Sequence, residues 1–227
     1  MRKMSLFIGD IRFQFKYGFY FIYLVFTLIY IALIYTFPPY WRHTAGILMI
    51  FSDPAEIGLY FMGAIVLFEK SEKVLNSLAV SPVSPTEYVL SKLCSLAVIS
   101  TIVASVIGFG AGIVRNAAVF LLSVFFCSCL FSAVGLIISS KISTLNGFII
   151  ATILPQLIIN IPAFFWLFGY RKNWLLFHPG VGMMELCADG LYAPMSLLVL
   201  ILWTVFFTVL AISSTRKMFR KVGGEKP

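Results

Sequence analysis

Residues 68–92 read FEKSEKVLNSLAVSPVSPTEYVLSK, a long polar interruption between two apolar runs. It holds Glu69, Glu72 and Glu87, three of the nine acidic residues, interleaved with Lys70, Lys73 and Lys92. Val74, Leu75, Leu78 and Ala79 fall at helical spacing on one face. The spacing predicts a short amphipathic helix over 70–81, too short to cross a membrane and offered to something outside it. Ser81-Pro82 stops it, because proline pushes the residue before it out of helical geometry. Ser84-Pro85-Thr86-Glu87 predicts the next helix start, with Ser84 at the N-cap, Pro85 at the first helical position and Glu87 closing a capping box.

On either side of this stretch the chain is apolar. Of 227 residues, 60% are hydrophobic and 11% charged, against about 25% charged in soluble domains. Long, nearly charge-free runs make this an all-α integral membrane protein. The net charge of +8 does not indicate nucleic acid, because the basic residues flank the apolar runs. A signal peptide is not expected, since Asp10, Arg12 and Lys16 interrupt its apolar core. Cys94, Cys127, Cys129 and Cys187 form no CxxC pair and read as small packing residues.

Taken in order, residues 1–16 read as an interfacial amphipathic helix. Met4, Phe7, Ile8 and Ile11 lie on one face, opposite Lys3, Asp10 and Gln14. A six-span bundle over 17–214 follows. The first span, 17–37, ends at Pro38-Pro39. The second, 54–68, starts at Asp53-Pro54-Ala55-Glu56, read as an N-cap with proline in the first turn. The third, 89–114, carries Ser100, Ala104, Gly108 and Gly112 every four residues, a stripe that lets a helix approach closely. Ser128, Ser132 and Gly135 of the fourth span, 117–139, are expected to face it. The fifth, 145–168, contains Pro155 and Pro162, which predict kinks, and a polar stripe of Thr152, Gln156 and Asn160. Segment 169–193 is too apolar for a plain loop and is expected to form short re-entrant or interfacial helices broken at Pro179-Gly180. The sixth span, 194–213, leads to a basic tail, 215–227. Six spans put thirteen of the seventeen Lys and Arg residues on the side of the termini. That side is therefore expected to be cytoplasmic.

The order Glu69, Lys70, Leu75, Leu78, Val80-Ser81-Pro82, Ser84-Pro85, Glu87-Tyr88, Lys92 resembles the loop between the second and third spans of ABC-2 type transporter permeases. The family often has Gly where this chain has Lys73, and Glu where it has Asn76. The resemblance implies an "elbow" helix at the N-terminus and a coupling helix in the 70–81 loop. It also implies a second permease subunit, identical or related, and a separate cytoplasmic ABC ATPase subunit. Glu69, Lys70, Glu72, Val74, Leu75, Leu78, Pro82 and Glu87 would couple to that ATPase. The function implied is export of an amphipathic or hydrophobic substrate (drug, antibiotic, peptide or lipid-like) across the cell membrane. Thr152, Gln156 and Asn160 are candidates for the substrate path. The alternative is a six-span assembly or immunity protein that transports nothing.

No GxxxxGK[ST], HExxH or GxSxG occurs, so catalytic residues, metal ligands and cofactors are not expected, and ATP hydrolysis is expected on the partner. His43 and His178 read as interface residues. Glu56, Glu69 and Glu87 fall at expected helix ends. The spans then hold no buried charge, which argues against a proton-coupled carrier.

Overall fold

The computed structural model describes residues 2–222, and no strand occurs among them. Helix α1 (Arg2–Lys16) precedes α2 (Phe19–Thr36). Then α3 (Pro39–Ile50), a π turn (Phe51–Ala55) and α4 (Ile57–Ser71) follow end to end. After them come α5 (Val74–Val80), α6 (Pro85–Gly110), α7 (Ala117–Lys141) and α8 (Leu145–Leu167). A 3-10 turn (Asn173–Phe177), α9 (Pro179–Cys187) and α10 (Ala193–Val222) complete the chain. Met1 and residues 223–227, with Lys226 of the basic tail, lie outside the described residues. So do the side chains of Lys3, Ala79 and Val80.

Among the described residues, six helices are long and apolar enough to cross a membrane. The second is Pro39–Ser71, 33 residues, not the short span expected from Pro54. Asp53 caps nothing, and Pro54 sits inside the π turn. The reason is local: proline has no N–H to give the preceding turn and clashes with the carbonyl four residues back, and a π turn widens the helix there. Pro38 and Pro39 begin this span rather than merely ending the first, with Pro39 in the first turn of α3.

Helix α7 lies at the centre, packed against α4, α6, α9 and α10. Small residues set the approach. A Cβ on Gly135 would lie 2.3 Å from the Leu59 carbonyl oxygen, so the α4 backbone rests directly on α7 there. Ser128 meets the stripe of the third span as expected, donating to Ser100 Oγ at 3.0 Å. Ser132 and Gly135 instead face Gly58 and Leu59 of α4. Of the stripe itself, Ser100, Ala104 and Gly108 are buried, whereas Gly112 is exposed in the turn after α6 at φ +66°. The α2, α8 and α10 windows are only 17%, 28% and 28% buried, so these three helices form the outer surface.

Helix α1 turns its polar face to the bundle. Gln14 is buried and donates to Ser95 at 2.8 Å, and Asp10 bonds Ser91 and Lys92, all on α6. Met4 and Ile8 are exposed. The polar face turns inward because the surrounding solvent of such a bundle is lipid, where backbone and side-chain polar groups find no partner.

Helix α8 runs unbroken through Pro155 and Pro162. His178, at the start of α9, is set against the backbone carbonyl of Ile158, the carbonyl that Pro162 leaves without its helical donor. A Cβ on Gly180 would meet the Ile159 carbonyl at 2.6 Å, so glycine lets α9 seat against α8. The expected short helices in 169–193 are present, but Pro179 opens α9 rather than breaking it, and all of α9 is buried. Cys187 lies inside, 3.5 Å from Ser123 Oγ, and burial pushes its thiol up to about 11, so it stays a neutral packing group.

Candidate coupling site and membrane polar cluster

The 68–92 stretch divides differently from its sequence pattern. Helix α4 continues through Lys70 and ends at Ser71, and α5 begins only at Val74. Between them Lys73 takes a left-handed conformation, φ 57°. That geometry favours glycine, the residue ABC-2 permeases often carry at this place. The 70–81 helix is therefore two pieces with a corner at Glu72–Lys73.

Each predicted coupling residue now has a place. Lys70 is half-buried, and its ammonium donates to the carbonyls of Ser139 at 2.5 Å, Ser140 at 3.1 Å and Ile142 at 2.7 Å. It therefore caps the C-terminus of α7, where free carbonyls and the helix dipole favour a cation. Leu75 is 1% exposed and packs in the chain's own core, which removes it from the surface a partner would touch. Val74 is 40% exposed, Leu78 is partly buried against the core, and Glu72 and Pro82 are exposed. The capping box is formed: Ser84 Oγ accepts from Glu87 N at 3.2 Å, and Glu87 Oε2 accepts from Ser84 N at 3.0 Å.

Glu69 is not at an open edge. It is 7% exposed and sits in a network that joins four elements. Lys92 Nζ of α6 donates to Glu69 Oε1 at 2.6 Å and to Asp10 Oδ1 of α1 at 3.0 Å. Tyr88 donates to Glu69 Oε2 at 2.6 Å, and its ring meets Phe219 of α10 edge-on at 5.3 Å. Ser91 donates to the other Asp10 oxygen. One cation thus holds two carboxylates where α1, α4 and α6 converge beside α5. Asp10, Tyr88 and Lys92 carried no such role in the sequence reading, because no local spacing links positions this far apart.

A second polar cluster lies on the α4–α8 seam. Glu56, after the π turn, is 2% exposed. Asn160 Nδ2 donates to Glu56 Oε2 at 2.9 Å, Gln156 also reaches toward Glu56, and Tyr60 donates to Gln156 Oε1 at 2.6 Å. Thr152 is buried but satisfies itself on the Ile149 carbonyl at 2.7 Å. The expected stripe therefore exists, and within one chain it turns toward α4. Glu56 Oε1 and Asn160 Oδ1 have no hydrogen-bond partner among the described residues. A third buried acid, Glu185 of α9, accepts from Trp166 Nε1 at 2.9 Å and from Tyr192 N at 3.2 Å. The spans thus do hold buried ionisable groups, Glu56, Glu69 and Lys92, contrary to the expectation on which proton coupling was set aside. Two of these acids looked terminal because Pro54 and the lysines near Glu69 mimic helix ends.

Among the described residues no group of His, Cys, Asp and Glu is placed to hold a metal ion. A family model for the fluoroquinolones export permease protein family matches residues 2–222. Two curated relatives, from two strains of Mycobacterium tuberculosis, are each named a fluoroquinolones export permease protein. Each is 29% identical over 154 residues, 66% of this chain and 64% of the relative, so the match spans just under two thirds of their length. With a family match over almost all of its length and the six long apolar helices described above, the chain belongs to the fluoroquinolones export permease protein family.

Proposed function

We propose that this chain is the membrane-spanning subunit of an ATP-driven ABC-2 type exporter in the cell membrane, with both termini in the cytoplasm. ATP is hydrolysed on a separate ATPase subunit, and a second permease copy or relative completes the transporter. The cargo is an amphipathic, largely apolar drug-like molecule, and the relatives' name points to fluoroquinolones as the first class to test. The observation that carries the reading is the seating of α5: a seven-residue helix with Val74 exposed and Leu75 buried, beside a junction of α1, α4 and α6 tied by one buried lysine. A push on α5 from outside would pass through Leu75 and the α4 corner into the network rather than dissipate in a loose loop. The cargo path follows the α4–α8 seam past Gln156 and Asn160, and opening it requires those helices to part.

The test is capture of co-expressed ABC ATPase subunits on the tagged chain, with drug-stimulated ATP hydrolysis in proteoliposomes. Val74→Asp should abolish both while leaving the chain's melting temperature unchanged. If that variant captures the ATPase and couples like the parent, α5 is only a connector, and a non-transporting assembly role becomes the better reading.

A further inference from the structure

At the end of the bundle that carries Lys70 and the C-terminal segment, α7 and α10 line a cavity of about 530 Å³. Its lining changes character along its length. Ile137 and Leu210 form the end nearer the apolar core, Ser140, Ser213 and Ser214 follow, and Lys141, Lys217 and Lys221 form the outer end. This order repeats the transition in the two helices themselves: α7 passes from Ile137-Ile138 to Lys141, and α10 from Leu210 and Ile212 to Arg216-Lys217. In a membrane-spanning bundle that transition marks the headgroup level.

The cavity is held open by packing, not left by a loose tail. Helix α10 continues to Val222, with Met218 and Phe219 buried and Phe219 against Tyr88. That anchoring aims Lys217 and Lys221 into the cavity with Met218. Among the described residues, Lys141, Lys217 and Lys221 have no carboxylate partner. Lys70 adds a further charge, close enough to feel Lys221. The C-terminus of α7 would ordinarily repel an anion, but Lys70 already occupies the carbonyls of Ser139, Ser140 and Ile142. What is left, among the described residues, is positive charge without a carboxylate partner and serine hydroxyls above an apolar floor.

We propose that this cavity binds an anionic phospholipid of the adjoining leaflet, with the phosphate between Lys141, Lys217, Lys221 and the Ser213–Ser214 hydroxyls and the upper acyl chain along Ile137 and Leu210. Basic cavities between membrane helices at headgroup level take such lipids, and each lysine near the surface adds to the attraction. The inference rests on the six-helix membrane reading and not on ATPase coupling, so failure of one leaves the other standing. A bound lipid would wedge α10 against α7 and bring a membrane-composition signal to the helix that contacts α5.

The experiment is native mass spectrometry of the full chain in detergent, offered equal phosphatidylglycerol and phosphatidylcholine. The parent should retain phosphatidylglycerol preferentially, by about tenfold or more. Lys217→Gln with Lys221→Gln should abolish the preference, whereas Arg12→Gln with Lys16→Gln, the same loss of charge elsewhere, should keep it. Leu210→Trp, which fills the apolar floor and spares every lysine, should also reduce retention. Equal loss in both charge-matched doubles, or no effect of Leu210→Trp, would overturn the proposal. Displacement of the lipid by excess inorganic phosphate would also overturn it, since the site would then read a free anion.

Discussion

Glu69 and Glu56 are both buried acids near the two ends of α4, and they are treated in opposite ways. Glu69 has both oxygens engaged, one by Lys92 and one by Tyr88, and its cation is shared with Asp10. Glu56 has one oxygen engaged by Asn160 while the other has no close hydrogen-bond partner among the described residues, with Gln156 only reaching toward it, and Asn160 keeps an unpaired carbonyl oxygen there. A fully satisfied network in low dielectric is rigid and expensive to break. A half-satisfied one can exchange partners, taking a proton, a water or a cargo donor. The difference teaches that burial alone does not mark a working site. On the exporter function proposed above, the Glu69 end would be the joint that transmits and the Glu56 seam the place where cargo enters.

The sharpest way to break this comparison is at the joint. Lys92→Met leaves the buried Glu69 and the part-buried Asp10 without their cation and should cost about 3–5 kcal/mol. Denaturant titration in detergent reads it directly, and a loss no larger than that of a Glu56 variant would erase the distinction between the clusters. Next in size is Leu75→Ala, which opens a cavity under α5 and should cost about 2–4 kcal/mol. Hydrogen exchange should rise in α5 and the end of α4, while the Tyr60–Gln156 region stays protected. Spread of the exchange to that seam would show the two regions to be one cooperative unit. The smallest effect on stability belongs to Glu56→Gln. The amide keeps an acceptor for Asn160 Nδ2 and gains a donor, so stability should change by less than about 1 kcal/mol. On the exporter reading, drug export by the assembled transporter, measured in vesicles with ATP, should nevertheless fall several-fold. Unchanged export would make the seam packing glue.

How much of this was legible beforehand varies with the range of the cause. The capping box at Ser84–Glu87 was readable because it needs four neighbouring residues and nothing else. The stop at Ser81-Pro82 was readable for the same reason. The second span was misplaced because Asp53-Pro54 has the local chemistry of a helix start, whereas the helix runs on through it as a π turn packed against α6 and α7. Which face of α1 meets the bundle was not legible, because periodicity identifies two faces without saying which one packs. Its answer depends on Ser91, Lys92 and Ser95, more than 75 residues away.

The amino-acid sequence alone determined the class of molecule: helices, six of them long enough to span a membrane, with a short polar helical element between the second and third. Those follow from hydropathy, periodicity and caps, which act over one helix at a time. Only the tertiary structure decided which charges are buried and what answers them. Lys92 meets Glu69 and Asp10, Lys70 caps α7, and Lys217 and Lys221 come to share a cavity with Lys141. The physical reason is that an ionised group in an apolar interior must find its partner wherever the fold supplies one, and sequence distance says nothing about that.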